Sequence, residues 1–267
     1  MASKFSHPRV FILDKRQKFV ASTLLLSVLF FSIQMGSGGV GFGLIFLLAF
    51  LTMPLFYWAM HKDISEKSLL IIFLLPFLYS LAFGLFYFLI PTRILFRLIL
   101  TIVYGIGLYS LFLSQNIFVV AAIRTIALLT GARIVSFVIT ILSYLLLVNT
   151  ILSFHFAMPF TLLLLALATF LLTYHSLWTY TLQKTPYRLS VWAGGLTLCL
   201  VEVASVLFFW PSTPTVLALY LTGMLYIFLG LSHMWMEKRL FKNVLWEFSW
   251  VSLIAFLFLM LFTSWGK

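Results

Sequence analysis

Long apolar runs recur from one end of the chain to the other, and they constrain its fold more than any other feature. The runs cover residues 18–34, 40–60, 68–90, 94–114, 134–153, 159–180, 191–210, 215–233 and 244–264. Each is long enough for an α-helix to cross a hydrocarbon core about 30 Å thick. Lipid offers no hydrogen bonds to the backbone, so each run is predicted to be helical. The expected fold is all-α, a polytopic bundle of nine transmembrane helices in a single integral membrane domain covering residues 1–267.

The composition excludes a water-soluble globular protein. Hydrophobic residues make up 63% of the chain and charged residues 9%, whereas soluble domains carry about 25% charged residues. The net charge of +11 does not indicate a nucleic-acid partner, because the basic residues stand between apolar runs and form no continuous basic face.

The basic residues instead predict an orientation. If the N-terminus is cytoplasmic, all but three of the 17 Lys and Arg residues lie on the cytoplasmic side, and the exceptions are Arg93, Arg97 and Lys267. Cytoplasmic loops of membrane proteins are enriched in Lys and Arg. We therefore expect the N-terminus inside, the C-terminus outside, and anionic lipid headgroups as partners on the cytoplasmic side.

The segment 116–133 is predicted to be an interfacial or shallow re-entrant helix. It is apolar, but its apolar stretch is only about 14 residues long, too short for a span, and Arg124 lies in its middle. Counting it as a tenth span would also move the later basic loops to the outer face.

Glu202 is the main candidate for a functional residue. It lies within the apolar run 191–210, where a carboxyl group costs roughly 2.5–3.5 kcal/mol on insertion scales. An intramembrane acid is a functional-site hypothesis by default. The two interpretations are a proton- or cation-coupled or acid–base group, and a structural side chain hydrogen-bonded to a neighbouring helix.

Three arginines form a second group of candidates. Arg124, in the sequence AAIRTIALL, and Arg133 are predicted to bind a lipid phosphate or pyrophosphate, because a guanidinium suits bidentate phosphate recognition. The alternative is simple anchoring by anionic lipids. Arg97 begins the fourth run and either reaches the headgroups or pairs with Glu202.

His175, His233 and Glu247 are predicted at a similar depth near the cytoplasmic surface. Together they would offer metal ligands, but no His pair has ligand spacing, and the alternative is that they face the headgroups. Cys199 is the only cysteine, so neither an internal disulfide nor a thiolate cage can form. We expect no metal and no cofactor.

The stretch from Ala121 to Leu152, with AAIRTIALL followed by an apolar span, resembles uncharacterised multi-pass membrane proteins of candidate-phylum bacteria. The resemblance covers about a tenth of the chain. It implies a multi-pass protein of the bacterial cytoplasmic membrane, and it implies no activity.

Three classes of function remain open from the sequence. A transporter or carrier with Glu202 in a midplane acidic site is slightly preferred. The second class is a membrane enzyme or lipid-phosphate-binding protein that acts at the cytoplasmic interface, although six acidic residues leave few acid–base partners for catalysis. The third is a structural or assembly subunit, which predicts a sealed interior and an exposed face that is incompatible with lipid.

Overall fold

The computed structural model describes residues 14–36, 41–60, 69–91, 93–122, 127–182 and 187–263. These residues form helices and no strand, and nine of the helices are long and apolar enough to cross a membrane, as predicted. The helices are α1 Lys15–Gly36, α2 Gly41–Met60, α3 Leu69–Phe86, α4 Ile94–Ala121, α5 Leu129–Ser153, α6 Met158–Thr181, α7 Tyr187–Leu207, α8 Pro214–Met236 and α9 Lys242–Leu261. A short 3-10 turn, Tyr87–Leu89, follows α3.

Successive helices run in opposite directions. Phe19 at the start of α1 packs on Phe56 near the end of α2, and Trp192 at the start of α7 packs on Trp235 at the end of α8. The odd-numbered helices therefore begin, and the even-numbered helices end, at one end of the bundle, which we call the basic end. The other end is called the far end.

Helices α3 and α5 form the centre of the bundle, while α7 and α9 lie at its edge. In α5, 61% of the span is buried, against 28% in α7 and 11% in α9. Helices α6 and α8 lie between α5 and α7, and α9 packs mainly on α8. Helix association in lipid depends on close packing and interhelical hydrogen bonds rather than on a hydrophobic effect, so the edge helices expose most of their apolar surface.

The structure differs from the sequence-based prediction at the segment 116–133. Residues 116–121 are the last turns of α4 and residues 129–133 the first turns of α5, so the described part of this segment contains no separate interfacial helix. The reason lies in the packing of this end of α4: Gln115, just before the segment, and Phe118, within it, are fully buried and hold the helix against the bundle. Arg124 lies outside the described residues.

Close contact between α3 and α4 depends on a glycine. The Tyr79 hydroxyl lies 3.2 Å and 3.1 Å from the carbonyl oxygens of Val103 and Tyr104. A Cβ at Gly107 would collide with that hydroxyl. Gly107 therefore allows a buried phenol to reach the backbone of the neighbouring helix.

We predict that Gly107→Ala lowers the free energy of unfolding by about 1–3 kcal/mol, because the methyl group displaces the Tyr79 ring. Unfolding of the detergent-solubilised protein measures this. Gly194→Ala is the matched control, since a Cβ there meets open space, and alanine at that position is expected to be neutral or stabilising by up to about 1 kcal/mol. Equal stability of the two variants would contradict the α3–α4 contact.

Candidate functional site

Arg133 connects the basic ends of three helices. From the start of α5 its Nε donates to the Thr179 carbonyl at 3.2 Å and its Nη2 to the Tyr180 carbonyl at 3.2 Å. Its Nη1 lies 3.4 Å from Glu237 Oε1, at the end of α8. The last carbonyls of a helix lack partners within it and form its negative pole. Arg133 therefore caps α6 and joins it to α8.

The guanidinium of Arg133 also lies over an aromatic ring, 4.6 Å from the centroid of Tyr180. The cluster continues from Tyr180 to His233, because the His233 ring stacks on the Tyr180 ring with 4.0 Å between their centroids. His233 Nε2 lies 3.1 Å from Ser176 Oγ, and both residues are buried. We call Arg133, Ser176, Tyr180, His233 and Glu237 the basic-end cluster.

A serine in contact with a histidine is an arrangement that nucleophilic enzymes use, but catalysis also needs a group that orients the base. The acid of this cluster, Glu237, bonds to Arg133 and also to Arg239, at 3.7 Å. The contact between Ser176 and His233 joins α6 to α8. Such contacts stabilise helix association in lipid by about 1 kcal/mol.

His175 faces a different neighbour. It is fully buried on α6, and its Nε2 lies 3.1 Å from Gln115 Nε2 and 3.4 Å from Gln115 Oε1 on α4. The shorter contact fits an amide that donates to the ring, and the buried Nδ1 has no hydrogen-bond partner in the structure. The two histidines thus join α6 to α4 and to α8 separately.

The interior of the described bundle places no metal ligands together. Among the residues that the structure describes, no group of three or more His, Cys, Asp or Glu side chains is close enough to hold an ion. Glu247 lies on the exposed surface of α9 and does not join His175 and His233.

Glu202 lies on the outer surface of α7, not between helices. Its side chain is exposed. Among the described residues its carboxyl group has no hydrogen-bond or ion-pair partner, and its backbone carbonyl accepts from Ser205 Oγ at 2.7 Å in addition to the bonds of the helix. Cys199, one turn earlier, is also exposed. The acid therefore faces the region that lipid or another protein would occupy.

A surface groove of about 680 Å³ lies beside this face, between α6, α7 and α8. Its walls include Trp192 and Trp235, whose rings stack at 5.1 Å, and Arg188 lies at its basic end. Trp192 Nε1 donates to Ser232 Oγ at 3.3 Å, which fixes the indole on α8. As far as the structure describes its lining, the groove is an apolar surface with one cation, Arg188, at its basic end.

Arg97, near the start of α4, lies at the far end of the bundle. It is half-buried, its guanidinium lies 5.6 Å from the Tyr87 ring centroid, and its Nη1 lies 3.6 Å from Met35 Sδ. These contacts join α4 to α1 and to the turn after α3. Arg97 forms no ion pair with Glu202, so their predicted pairing has no support from the described contacts.

Sequence reasoning identified Arg133 and His233 but missed their partners Ser176, Tyr180 and Glu237. Arg133 and Glu237 are 104 positions apart, and no local spacing connects them. The one signal in the sequence was the position of Glu237 at the end of an apolar run beside Lys238 and Arg239, which is typical of a helix terminus at the membrane surface.

We predict that Arg133→Met, which keeps the aliphatic stem, lowers the free energy of unfolding by about 1–3 kcal/mol because two helix-terminal carbonyls lose their donor. Glu237→Gln is expected to cost less than about 1 kcal/mol, since a part-exposed ion pair contributes little. Unfolding of the two variants in detergent measures both losses of free energy, and a variant of the exposed Arg188, Arg188→Met, is the control. Equal losses for Arg133→Met and Glu237→Gln would show that the ion pair, and not the cap, carries the contact.

Comparison with known proteins gives one match. A model of the family described as "Protein of unknown function (DUF5656)" matches residues 30–262. No curated protein matches the chain, and no solved structure matches it. The family match transfers no activity to the residues described above. Because it extends over well more than half of the sequence, the chain belongs to the DUF5656 family.

Proposed function

We propose that this integral membrane protein is a structural or assembly subunit, and that the outer face of α7 is covered by a transmembrane helix of a neighbouring protein molecule. The observation that carries the proposal is the exposed side chain of Glu202. A carboxyl group within the hydrocarbon has no water to bond, and membrane proteins place such groups against protein or a water-filled cavity.

The direction of α7 makes it unfavourable for the Glu202 side chain to reach the membrane surface. Glu202 lies five residues before the end of α7, about 7.5 Å below it along the helix axis. Each Cα–Cβ bond of a helix tilts toward the N-terminal end. On α7 this tilt carries the carboxyl away from the nearer surface, and the exposed Phe208 and Phe209 extend the apolar surface beyond the helix.

Glu247 gives the opposite case on α9. It lies five residues after the start of α9, at the same distance of about 7.5 Å from its helix end. Because α9 begins at the basic end, the tilt carries the Glu247 side chain toward the nearer surface. Glu247 is therefore compatible with contact to headgroups or water, whereas Glu202 needs a partner at its own depth.

The exposed face at the start of α4 has the composition of a lipid-facing surface. On the outer half of α4 the exposed side chains are all apolar, among them Leu95, Ile99 and Ile106. The contrast sets α7 apart from an ordinary peripheral helix. The position of Glu202 on the outside also removes the main argument for a transporter, which required this acid in a site between helices.

A lipid-phosphate-binding protein is the second candidate, and the groove of α6, α7 and α8 favours it. Its apolar wall suits an acyl or polyprenyl chain, while Arg188 and the positive N-terminal end of α7 suit a phosphate. Arg133 is less suited to this role because three of its N–H groups already have partners. This candidate leaves Glu202 without a partner, which is why we rank it second.

We further propose that the protein resides in a bacterial cytoplasmic membrane with the basic end in the cytoplasm. The distribution of Lys and Arg supports the orientation, and the resemblance of residues 121–152 supports the bacterial setting. In this orientation the basic-end cluster lies near the cytoplasmic headgroups.

Photolabelling from the lipid phase tests the assembly proposal. A hydrophobic diazirine dissolved in native membranes is expected to label α4 but not the α7 positions Leu198 and Val206, because a neighbouring protein covers them. After dispersion into detergent as single chains, both helices are expected to be labelled. Mass spectrometry of the peptides measures, for each helix, the ratio of labelling in native membranes to labelling in detergent.

The exposed face of α4 is the internal control, since Ile99 and Ile106 have no expected protein neighbour. Equal labelling of α7 and α4 in native membranes would contradict the proposal. If a lipid occupied the groove, labelling of Leu198 and Val206 would also be strong, and anionic lipid would be retained by wild type more than by an Arg188→Met variant.

A further inference from the structure

We propose that an anionic phospholipid binds at the far end of the bundle, with its phosphate on Arg93 and Arg97 and an acyl chain in a groove between α1 and α4. This inference goes beyond the proposed function and does not depend on a partner for Glu202. It depends on two cations without acidic partners, on their position at the start of α4 and on the groove that begins below them.

The far end of the bundle carries two neighbouring cations and no acid to pair with them. Arg93 and Arg97 are four positions apart at the start of α4, so their side chains are neighbours. The segments that connect helices at this end, residues 37–40, 87–93, 154–157 and 208–213, contain no Asp or Glu. Within the described ranges, neither arginine forms an ion pair. This surface therefore attracts an anion.

The guanidinium of Arg97 is held in place but keeps unused donors. It lies over the Tyr87 ring, with 5.6 Å between Cζ and the ring centroid. Its Nη1 lies 3.6 Å from Met35 Sδ, a weak acceptor, and its Nε has no hydrogen-bond partner among the described residues. A guanidinium that stacks on a ring presents donors at its edge, where a phosphate accepts two of them at once.

Hydrogen bonds from three elements fix the backbone around Arg97. Gln34 of α1 is buried, and its Nε2 donates to Thr101 Oγ1 at 3.3 Å. Thr101 Oγ1 donates to the Arg97 carbonyl at 2.9 Å, and the Tyr87 hydroxyl donates to the Gln34 carbonyl at 2.9 Å. The end of α1 and the turn after α3 therefore hold the start of α4 in one position, as a binding site requires.

A groove of about 440 Å³ between α1 and α4 begins one turn below Arg97. Its walls include Thr101 and Ile102 of α4 and Leu24 of α1, and it continues to Tyr109. From Thr101 to Tyr109 it extends about 12 Å along the axis of α4, close to the roughly 15 Å of hydrocarbon in one leaflet. The groove therefore has the length and the composition of a site for an acyl chain.

The direction of α4 places the two parts of the site in the order in which they occur in a phospholipid. Because α4 begins at the far end, its Cα–Cβ bonds tilt toward that surface, and the long Arg97 side chain reaches the headgroups. Thr101, where the groove begins, lies about 6 Å deeper along the axis. The phosphate thus meets the arginines while the chain below it enters the groove.

Photolabelling with two phospholipids tests the site where it lies. Phosphatidylglycerol and phosphatidylcholine with the same diazirine-bearing acyl chain are each added to nanodiscs that hold the full chain. At Leu24 and Ile102, phosphatidylglycerol is expected to label about ten times more than phosphatidylcholine, because two guanidinium groups bind its anionic headgroup. Leu167, an exposed apolar residue of α6 at a similar depth, is the internal control, with an expected ratio of about one because a neutral surface does not distinguish the two headgroups.

Variants of the two arginines show whether they select the lipid. Arg97→Met is expected to bring the ratio at Leu24 and Ile102 close to one, and Arg97→Lys to leave an intermediate ratio, because an ammonium is a point charge without the fork of donors. Arg93→Met is expected to lower the ratio about threefold, since an exposed charge contributes less. Lys242→Met, at the exposed start of α9 on the basic end, should leave it unchanged.

Equal ratios at Leu24, Ile102 and Leu167 would overturn the inference, because lipids would then meet α1 and α4 as they meet the rest of the surface. A ratio at the groove that neither Arg97→Met nor Arg93→Met lowers would overturn it as well. Arg93 is exposed, so its replacement is expected to leave the fold intact even if Arg97→Met does not. No outcome involves Glu202, so this result and that of the assembly proposal are separate.

Discussion

The structure depends on one constraint, which is that a polar group inside the hydrocarbon must find its hydrogen bonds within protein. The described helices meet it in two ways. Many hydroxyl groups bond back to their own helix, as Thr140 does to Ser136, Ser143 to Ile139 and Thr169 to Leu165. Larger groups bond between helices, as Gln115 does with His175. The first kind leaves the surface of each helix apolar, while the second determines which helices adjoin.

The basic-end cluster shows how the second kind organises the bundle. Arg133 caps α6, contacts Glu237 at the end of α8 and lies over Tyr180, which in turn stacks on His233. Helices α5, α6 and α8 are therefore fixed to one another at one end by polar contacts and along their length by packing. Helix α7 contributes no charge to this cluster, and its own acid points outward. The same constraint that explains the interior underlies our proposal that a further protein surface covers α7.

The helices themselves were predictable from the sequence because the hydrocarbon thickness sets their length locally. The nine runs correspond to α1–α9, because each run makes its backbone hydrogen bonds within itself once it forms a helix. The segment near 116–133 was misjudged, since the burial of Gln115 and Phe118, which keeps α4 continuous to Ala121, depends on helices that are distant in sequence.

The candidate site was less predictable, for two physical reasons. The partners of Arg133 come from α6 and α8, so no spacing within one helix reveals them. The face of Glu202 depends on the rotation of α7 about its axis, and a run that is apolar on all sides does not fix that rotation. The sequence therefore identified Glu202 as exceptional but placed it between helices in its preferred interpretation, whereas the structure places it on the outer surface.

The protein content of the surrounding membrane tests this account most directly. Protein extracted with its surrounding lipid into polymer-bounded nanodiscs, without detergent, can be weighed one particle at a time. The account predicts that particles of wild type and of Glu202→Gln hold at least one further protein chain, and that particles of Glu202→Leu hold this chain alone. A single chain in every case, or an unchanged mass regardless of residue 202, would contradict the claim that protein covers the face of Glu202.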